Sequence, residues 1–155
     1  MATVKSPLST EARNKVGKAL QASLVELIDL SLVAKQAHWN LTGRNFRSLH
    51  LQLDEIVAMA RQHMDTVAER AVAVGVNPDG RAATVADHRV APQMEAGYLQ
   101  DDKVVATFVD VFHGLVERFR ARHDTVSTAD AVTENIFAEI LHDLEKTYWM
   151  LQAEQ

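Results

Sequence analysis

The chain has 155 residues, a formal net charge of −5, 47% hydrophobic and 24% charged residues, a balance that suits one globular domain and excludes extensive disorder. Six Gly and three Pro are too few for an architecture of many tight turns, and the absence of Cys excludes a disulfide scaffold, a thiolate zinc site and a thiol nucleophile. The negative charge argues against a body that binds nucleic acid electrostatically.

Met1 to Ser9 has no apolar core of the signal-peptide kind, and no apolar run approaches the roughly 20 residues of a membrane span. A cytoplasmic location without membrane contact is therefore expected. Residues 1–8 are expected as a flexible N-terminal tail and 9–155 as one domain. The first helix is predicted from about Ser9 to His38, because Val16, Leu20, Leu24, Leu27, Ser31 and Ala34 recur at three- and four-residue steps. Val25 and Leu32 form a second apolar line, so this helix is expected to face both its own core and another subunit. Gly43 marks a stop. The second helix is predicted from about Asn45 to Val74, with the stripe Leu49, Leu53, Ile56, Ala60, Met64, Val67, Ala71 and Val74. Residues 75–100 contain Pro78, Gly80, Pro92 and Gly97 and read as a long connection with room for a short helix. A connection of that length suits a crossover between parallel neighbours. A third helix from about Asp101 to Arg122 carries Val104, Val105, Phe108, Phe112, Leu115, Val116 and Phe119. A fourth, from about Thr128 to Ala153, carries Ile136, Phe137, Ile140, Leu141, Leu144, Tyr148 and Leu151. The pattern predicts an all-α, ferritin-like four-helix bundle with one long crossover between helices two and three.

Candidate chemistry sits on the second helix. With Leu49 at 0°, its apolar stripe clusters at about 10°, while His50, Asp54, Asp65 and Glu69 fall at about 100°, 140°, 160° and 200°. All four share a face that points away from the helix's own core. Ala58, Ala68 and Val72 lie among them, more apolar than a solvated face needs. His50/Asp54 and Asp65/Glu69 are i, i+4 pairs, each spaced to pinch one ion. His50 and Asp65 are about 22 Å apart along the helix axis, too far for one ion within one chain. Two copies of the helix packed antiparallel about a two-fold axis bring the pairs together and make two sites. His38, after one turn of chain, extends the set. Two imidazoles and three carboxylates suit iron(II), manganese or zinc, and lacking thiolate they give no reason to expect a closed structural zinc site.

The stretch Lys35-Gln36-Ala37-His38-Trp39-Asn40-Leu41-Thr42-Gly43-Arg44-Asn45-Phe46, followed by His50, Asp54, Asp65 and Ala68-Glu69-Arg70-Ala71, closely resembles the Dps family, the mini-ferritins called DNA-binding proteins from starved cells. Thr128 to Trp149 resembles that family's last helix, and the likeness runs from about Leu8 to Ala153. The resemblance implies a hollow dodecamer that oxidises iron(II), preferably with hydrogen peroxide, and stores iron(III) mineral. It implies a site shared by two-fold-related subunits, with His38, His50 and Asp54 from one and Asp65 and Glu69 from the other. Trp39, beside a ligand, is either a sacrificial electron donor or a packing aromatic at the interface. Asp130 and Glu134, and more weakly Asp124, match acids that line an iron-entry pore in the family; charge at a helix N-terminus is the other reading. The family often binds DNA through a Lys-rich tail. Here Lys5, Arg13, Lys15 and Lys18 are the cations available, with only Lys5 ahead of the helix, so DNA binding and association with the nucleoid are expected to be weak. The alternative to an iron-storing ferroxidase is a nucleoid-associated DNA-compacting protein with a secondary metal site.

Glu139 and His142, with Asp110 and His113, have a loose likeness to an intrabundle iron site. Their positions on the helical wheel face outward, so a structural role is expected. His63 lies on the apolar stripe and reads as a core or interface histidine, and no partner is predicted for His88 or His123.

Overall fold

The computed structural model describes residues 4–88 and 94–155. Five helices and two short strands follow one another: α1 Thr10–Asn40, β1 Leu41–Thr42, α2 Phe46–Ala73, α3 Ala82–His88, β2 Leu99–Gln100, α4 Asp101–Ser127 and α5 Ala131–Gln152. The first and second predicted helices are α1 and α2, the third and fourth are α4 and α5, and α3 is the short helix inside the crossover. Among the described residues no helix is long and apolar enough to cross a membrane.

Local chemistry sets two helix starts. Ser9 caps α1, its hydroxyl accepting from the Ala12 amide, and Asp130 caps α5 by accepting from the Thr133 amide at 3.0 Å. α4 runs five residues past its expected end at Arg122, because Val126 is fully buried and carries the helix on to Ser127. The turn to α5 is then only 128–130.

Each hairpin, α1 with α2 and α4 with α5, packs its apolar stripe against the other. Phe108, Phe112, Phe119 and Phe137 fill the centre beside Leu20, Leu27, Leu53, Ile140 and Leu144, all fully buried. β1 pairs with β2 in parallel, Leu41 with Leu99 and Thr42 with Gln100. α2 and α4 therefore start at the same end and run parallel, as the length of the crossover suggests. They are not neighbours, however: α1 packs on α2 and α4, and α5 on α4 and α2, which leaves the two parallel helices on a diagonal.

Leu8 packs on the core, and the Val4 carbonyl and Ser6 come against Gly75 just past the end of α2. Met1–Thr3 lie outside the described residues. The second apolar line of α1 divides, since Val25 is buried beside the crossover while Leu32 stays 56% exposed. The part of the crossover at 89–93, with Pro92, also lies outside the described residues.

One contact closes the corner between α1 and α2. Asn45 precedes α2 but makes no side-chain cap; instead the Asp101 carboxylate, from the start of α4, accepts from the Asn45 amide at 2.8 Å. Gly43 lies directly beneath that carboxylate with φ +139°, and a Cβ there would sit 2.3 Å from Asp101 Cγ. Gly97 also has positive φ, at +96°, but faces open space. Gly43→Ala combines backbone strain with a clash and is expected to destabilise by about 2–4 kcal/mol. Gly97→Ala carries only the strain, about 1–2 kcal/mol. Thermal unfolding of the two variants side by side checks the order; equal losses would contradict the role given to Asp101.

Candidate metal centre

The corner that Asp101 closes also carries three of the candidate ligands. His38 ends α1 and His50 opens the second turn of α2. Their rings stack, with centroids 3.6 Å apart and planes 19° from parallel, and Phe46 stacks on the far side of His50 at 4.9 Å. The backbone ties them reciprocally: His38 Nδ1 donates to the His50 carbonyl at 2.8 Å, and His50 Nδ1 donates to the His38 carbonyl at 3.0 Å. A carbonyl only accepts, so each Nδ1 carries a proton, and in a neutral ring Nε2 is then the bare nitrogen. This is the state in which an imidazole binds a metal, oriented by its second nitrogen.

Asp54 lies one turn beyond His50. Its carboxylate takes a short contact from the Lys35 ammonium, and its Oδ1 is 3.5 Å from His38 Nδ1. The Lys35 hydrogen bond outweighs the effect of burial and holds the Asp54 carboxyl below the ordinary carboxylate range. Asp65 and Glu69 are exposed further along α2. They share its outer face, as the helical wheel predicts, but stay apart from His38, His50 and Asp54. Among the described residues of one chain, no three His, Asp or Glu side chains are gathered so as to hold an ion. One protomer thus presents two separated half-sets. Trp39, beside His38, is 66% exposed; Leu32 and Leu51 are also exposed on the same pair of helices, and Val72 is exposed three residues past Glu69.

The other candidates divide. Asp130 is only 9% exposed at its side chain and is committed locally: it caps α5 and accepts from Arg70 Nη2 at 2.6 Å. Burial raises its pKa, but the bonds from Thr133 and Arg70 together win and hold it below the ordinary value. Glu134 and Asp124 flank His123, at 3.9 Å and 3.6 Å, so this histidine has the acidic partners that the sequence did not reveal. Lys5 and Lys15 are exposed, and Lys15 pairs with Glu11 at 3.4 Å. Arg13 and Lys18 line a cavity of about 730 Å³ between α1 and the crossover, away from the candidate ligands. Glu139, His142, Asp110 and His113 are all exposed, as expected. His63 is a buried histidine that donates from Nε2 to Asp143 at 2.8 Å.

Several working residues were not singled out from the sequence. Lys35 and Phe46 belong to the quoted motif, yet nothing in their spacing shows what they touch. Glu26 had a signal: a carboxylate among Val25 and Leu27 is buried and must be paired. It accepts from Arg118 Nε at 3.0 Å and from Arg122 Nη2 at 2.6 Å.

This architecture is that of a ferritin-like protein, and comparison with known proteins agrees. The ferritin-like domain family matches residues 17–154. The chain is 34% identical to the DNA protection during starvation protein of Agrobacterium fabrum, over 96% of this chain and 93% of that one. It is 35% identical to DNA protection during starvation protein 2 of Deinococcus radiodurans, covering 98% of this chain but 63% of that longer relative. The Dps structure from Microbacterium arborescens in its high iron form superposes with a TM-score of 0.91 at 29% identity, over 97% of each chain. The chain belongs to the Dps family of mini-ferritins.

The Asp130 geometry yields a pH prediction. A carboxyl whose folded pKa lies below its unfolded value contributes stability above about pH 4, and that contribution is lost as pH falls through the folded pKa. Asp130→Asn keeps a capping acceptor but leaves Arg70 without its counter-ion, and is expected to cost about 2–4 kcal/mol near neutral pH. The difference from wild type should shrink steadily below about pH 4. Denaturant titrations across pH measure it, and a gap independent of pH would contradict the Arg70–Asp130 assignment.

Proposed function

We propose that this chain assembles into a hollow dodecamer that oxidises iron(II) at sites shared by two-fold-related subunits and stores the iron(III) product as mineral. The observation that carries this reading is the half-site at the α1–α2 corner: two imidazoles tied so that both Nε2 atoms are bare, with Asp54 one turn away. The complement, Asp65 and Glu69, lies on the same outer face of α2, about 16 Å along the axis from Asp54. Antiparallel packing of two α2 helices supplies each half-site with the other's carboxylates. The exposed apolar residues around both sets then become contacts between subunits. Iron(II) is the substrate in this scheme. A donor set of nitrogen and hard oxygen suits it, and the carboxylates stabilise the higher charge of the product.

With hydrogen peroxide as the preferred oxidant, two iron(II) ions each give up one electron. The peroxide O–O bond breaks and, with two protons, yields two waters. Consuming peroxide in a two-electron step releases no hydroxyl radical, which is a chemical route to the DNA protection named in the relatives. Asp124 and Glu134 are proposed to help draw iron(II) to a pore, with Asp130 holding the helix that carries Glu134. Trp39 is close enough in sequence and open enough to donate an electron when iron alone does not complete the reduction. Residues 9–155 form the working domain, in the cytoplasm.

Direct DNA compaction is the second reading. It needs clustered free cations, and the described N-terminal segment offers Lys5 followed by cations on α1. A DNA mobility shift is therefore expected to be weak at physiological salt and to vanish as salt rises, since attraction to phosphate is the available force. Tight binding at high salt would favour the compaction reading, with the charges coming from a surface formed on assembly.

The shared site has its own test. One chain carries His50→Ala and Asp54→Ala, another Asp65→Ala and Glu69→Ala. Each alone is expected to oxidise iron poorly, because every site lacks part of its ligands. After unfolding, mixing and reassembly, about half the dimers are mixed, and each mixed dimer regains one intact site of its two. About a quarter of wild-type activity should return. Shells of normal size without that recovery would refute the two-fold site.

A further inference from the structure

Lys35 is the cation nearest the half-site. It lies on α1 three residues before His38, reaches across to α2, and bonds the same Asp54 oxygen that faces His38 Nδ1. Its side chain is largely buried, 26% exposed, so this ammonium is not a freely solvated surface charge. The Asp54 carboxylate is thus already paired within the chain. A divalent ion that takes Asp54 must either break this pair or share the carboxylate with an ammonium a few ångströms away.

Charge decides what this does. His38 and His50 are neutral as ligands, and Asp54, Asp65 and Glu69 bring three negative charges to a complete site. Lys35 reduces that to two, which one divalent ion balances. A unit charge and a divalent ion about 6 Å apart repel enough, even at the dielectric constant of water, to lower affinity about tenfold. Partial burial increases the effect. The same ammonium orients the Asp54 carboxylate.

We infer that Lys35 is an affinity-setting residue of the two-fold site: its ammonium competes for Asp54 and opposes divalent-ion binding. This rests on the two-fold reading above. It makes Lys35 a positioning residue that acts through Asp54. The consequence is a site that takes up iron(II) without holding divalent ions at the full strength of its three carboxylates.

The test uses the assembled full-length protein and cobalt(II), titrated without oxidant and followed by calorimetry and by visible absorption. Lys35→Gln is expected to bind cobalt about tenfold more tightly than wild type at low ionic strength, with the gain shrinking as salt screens the charge. Lys35→Met, which keeps the aliphatic stem, should behave alike and serves if the glutamine variant does not assemble. Lys35→Arg retains the charge and should stay within about threefold of wild type, a rescue that a purely structural role does not predict. His50→Ala reports on the site itself and should lose cobalt. If cobalt binding is lost with His50→Ala yet is unchanged or weaker in Lys35→Gln and Lys35→Met, the role of Lys35 is overturned and the two-fold site stands. Binding that survives His50→Ala at the wild-type level overturns the two-fold reading and this inference together.

Discussion

The corner between α1 and α2 is the constraint on which the rest depends. Its chain is short, 41–45, and it must reverse a 31-residue helix onto a 28-residue one. The Asp101 carboxylate closes it by accepting from the Asn45 amide above Gly43, while β1 and β2 bring the start of α4 to the same place. With that geometry set, His38 and His50 reach each other's carbonyls and stack. The histidine tautomers are therefore a by-product of how the helices are joined. A looser corner would leave the same two histidines free to choose either nitrogen.

Charged contacts then hold the two hairpins together. Glu26 of α1 meets Arg118 and Arg122 of α4, while Arg70 of α2 meets Asp130 and His63 of α2 meets Asp143 at α5. Each pair spans a seam between hairpins, where an apolar contact alone tolerates sliding by a turn. Pairing of this kind adds modest net stability, because desolvation offsets the attraction, but losing one partner strands a charge and is expensive. The pairs are thus best understood as setting register.

The helices were legible in the sequence, since a 3.6-residue apolar period is a local property that survives any packing. The stripe residues Leu49, Leu53, Ile56, Ala60, Val67, Ala71 and Val74 are all buried. The same period placed His50, Asp54, Asp65 and Glu69 on the outward face, because a helix that buries one side necessarily shows the other. The capping by Ser9 and Asp130 is equally local, an acceptor three residues before its donor, although the spacing did not single it out.

What lay beyond reach was every contact made across tens of residues. Lys35 to Asp54, Asp101 to Asn45, His63 to Asp143 and Glu26 to its two arginines have no signature in spacing. Asp130 read as a pore acid because its charge and position were visible, and its burial against Arg70 was not. The sequence alone determined the elements, their faces and which residue types were available for metal chemistry. Tertiary structure alone decided which nitrogen of each histidine is bare and which carboxylate is already paired. The reason is physical: periodicity is written in each helix separately, whereas a hydrogen bond or ion pair exists only once two helices have taken a common register.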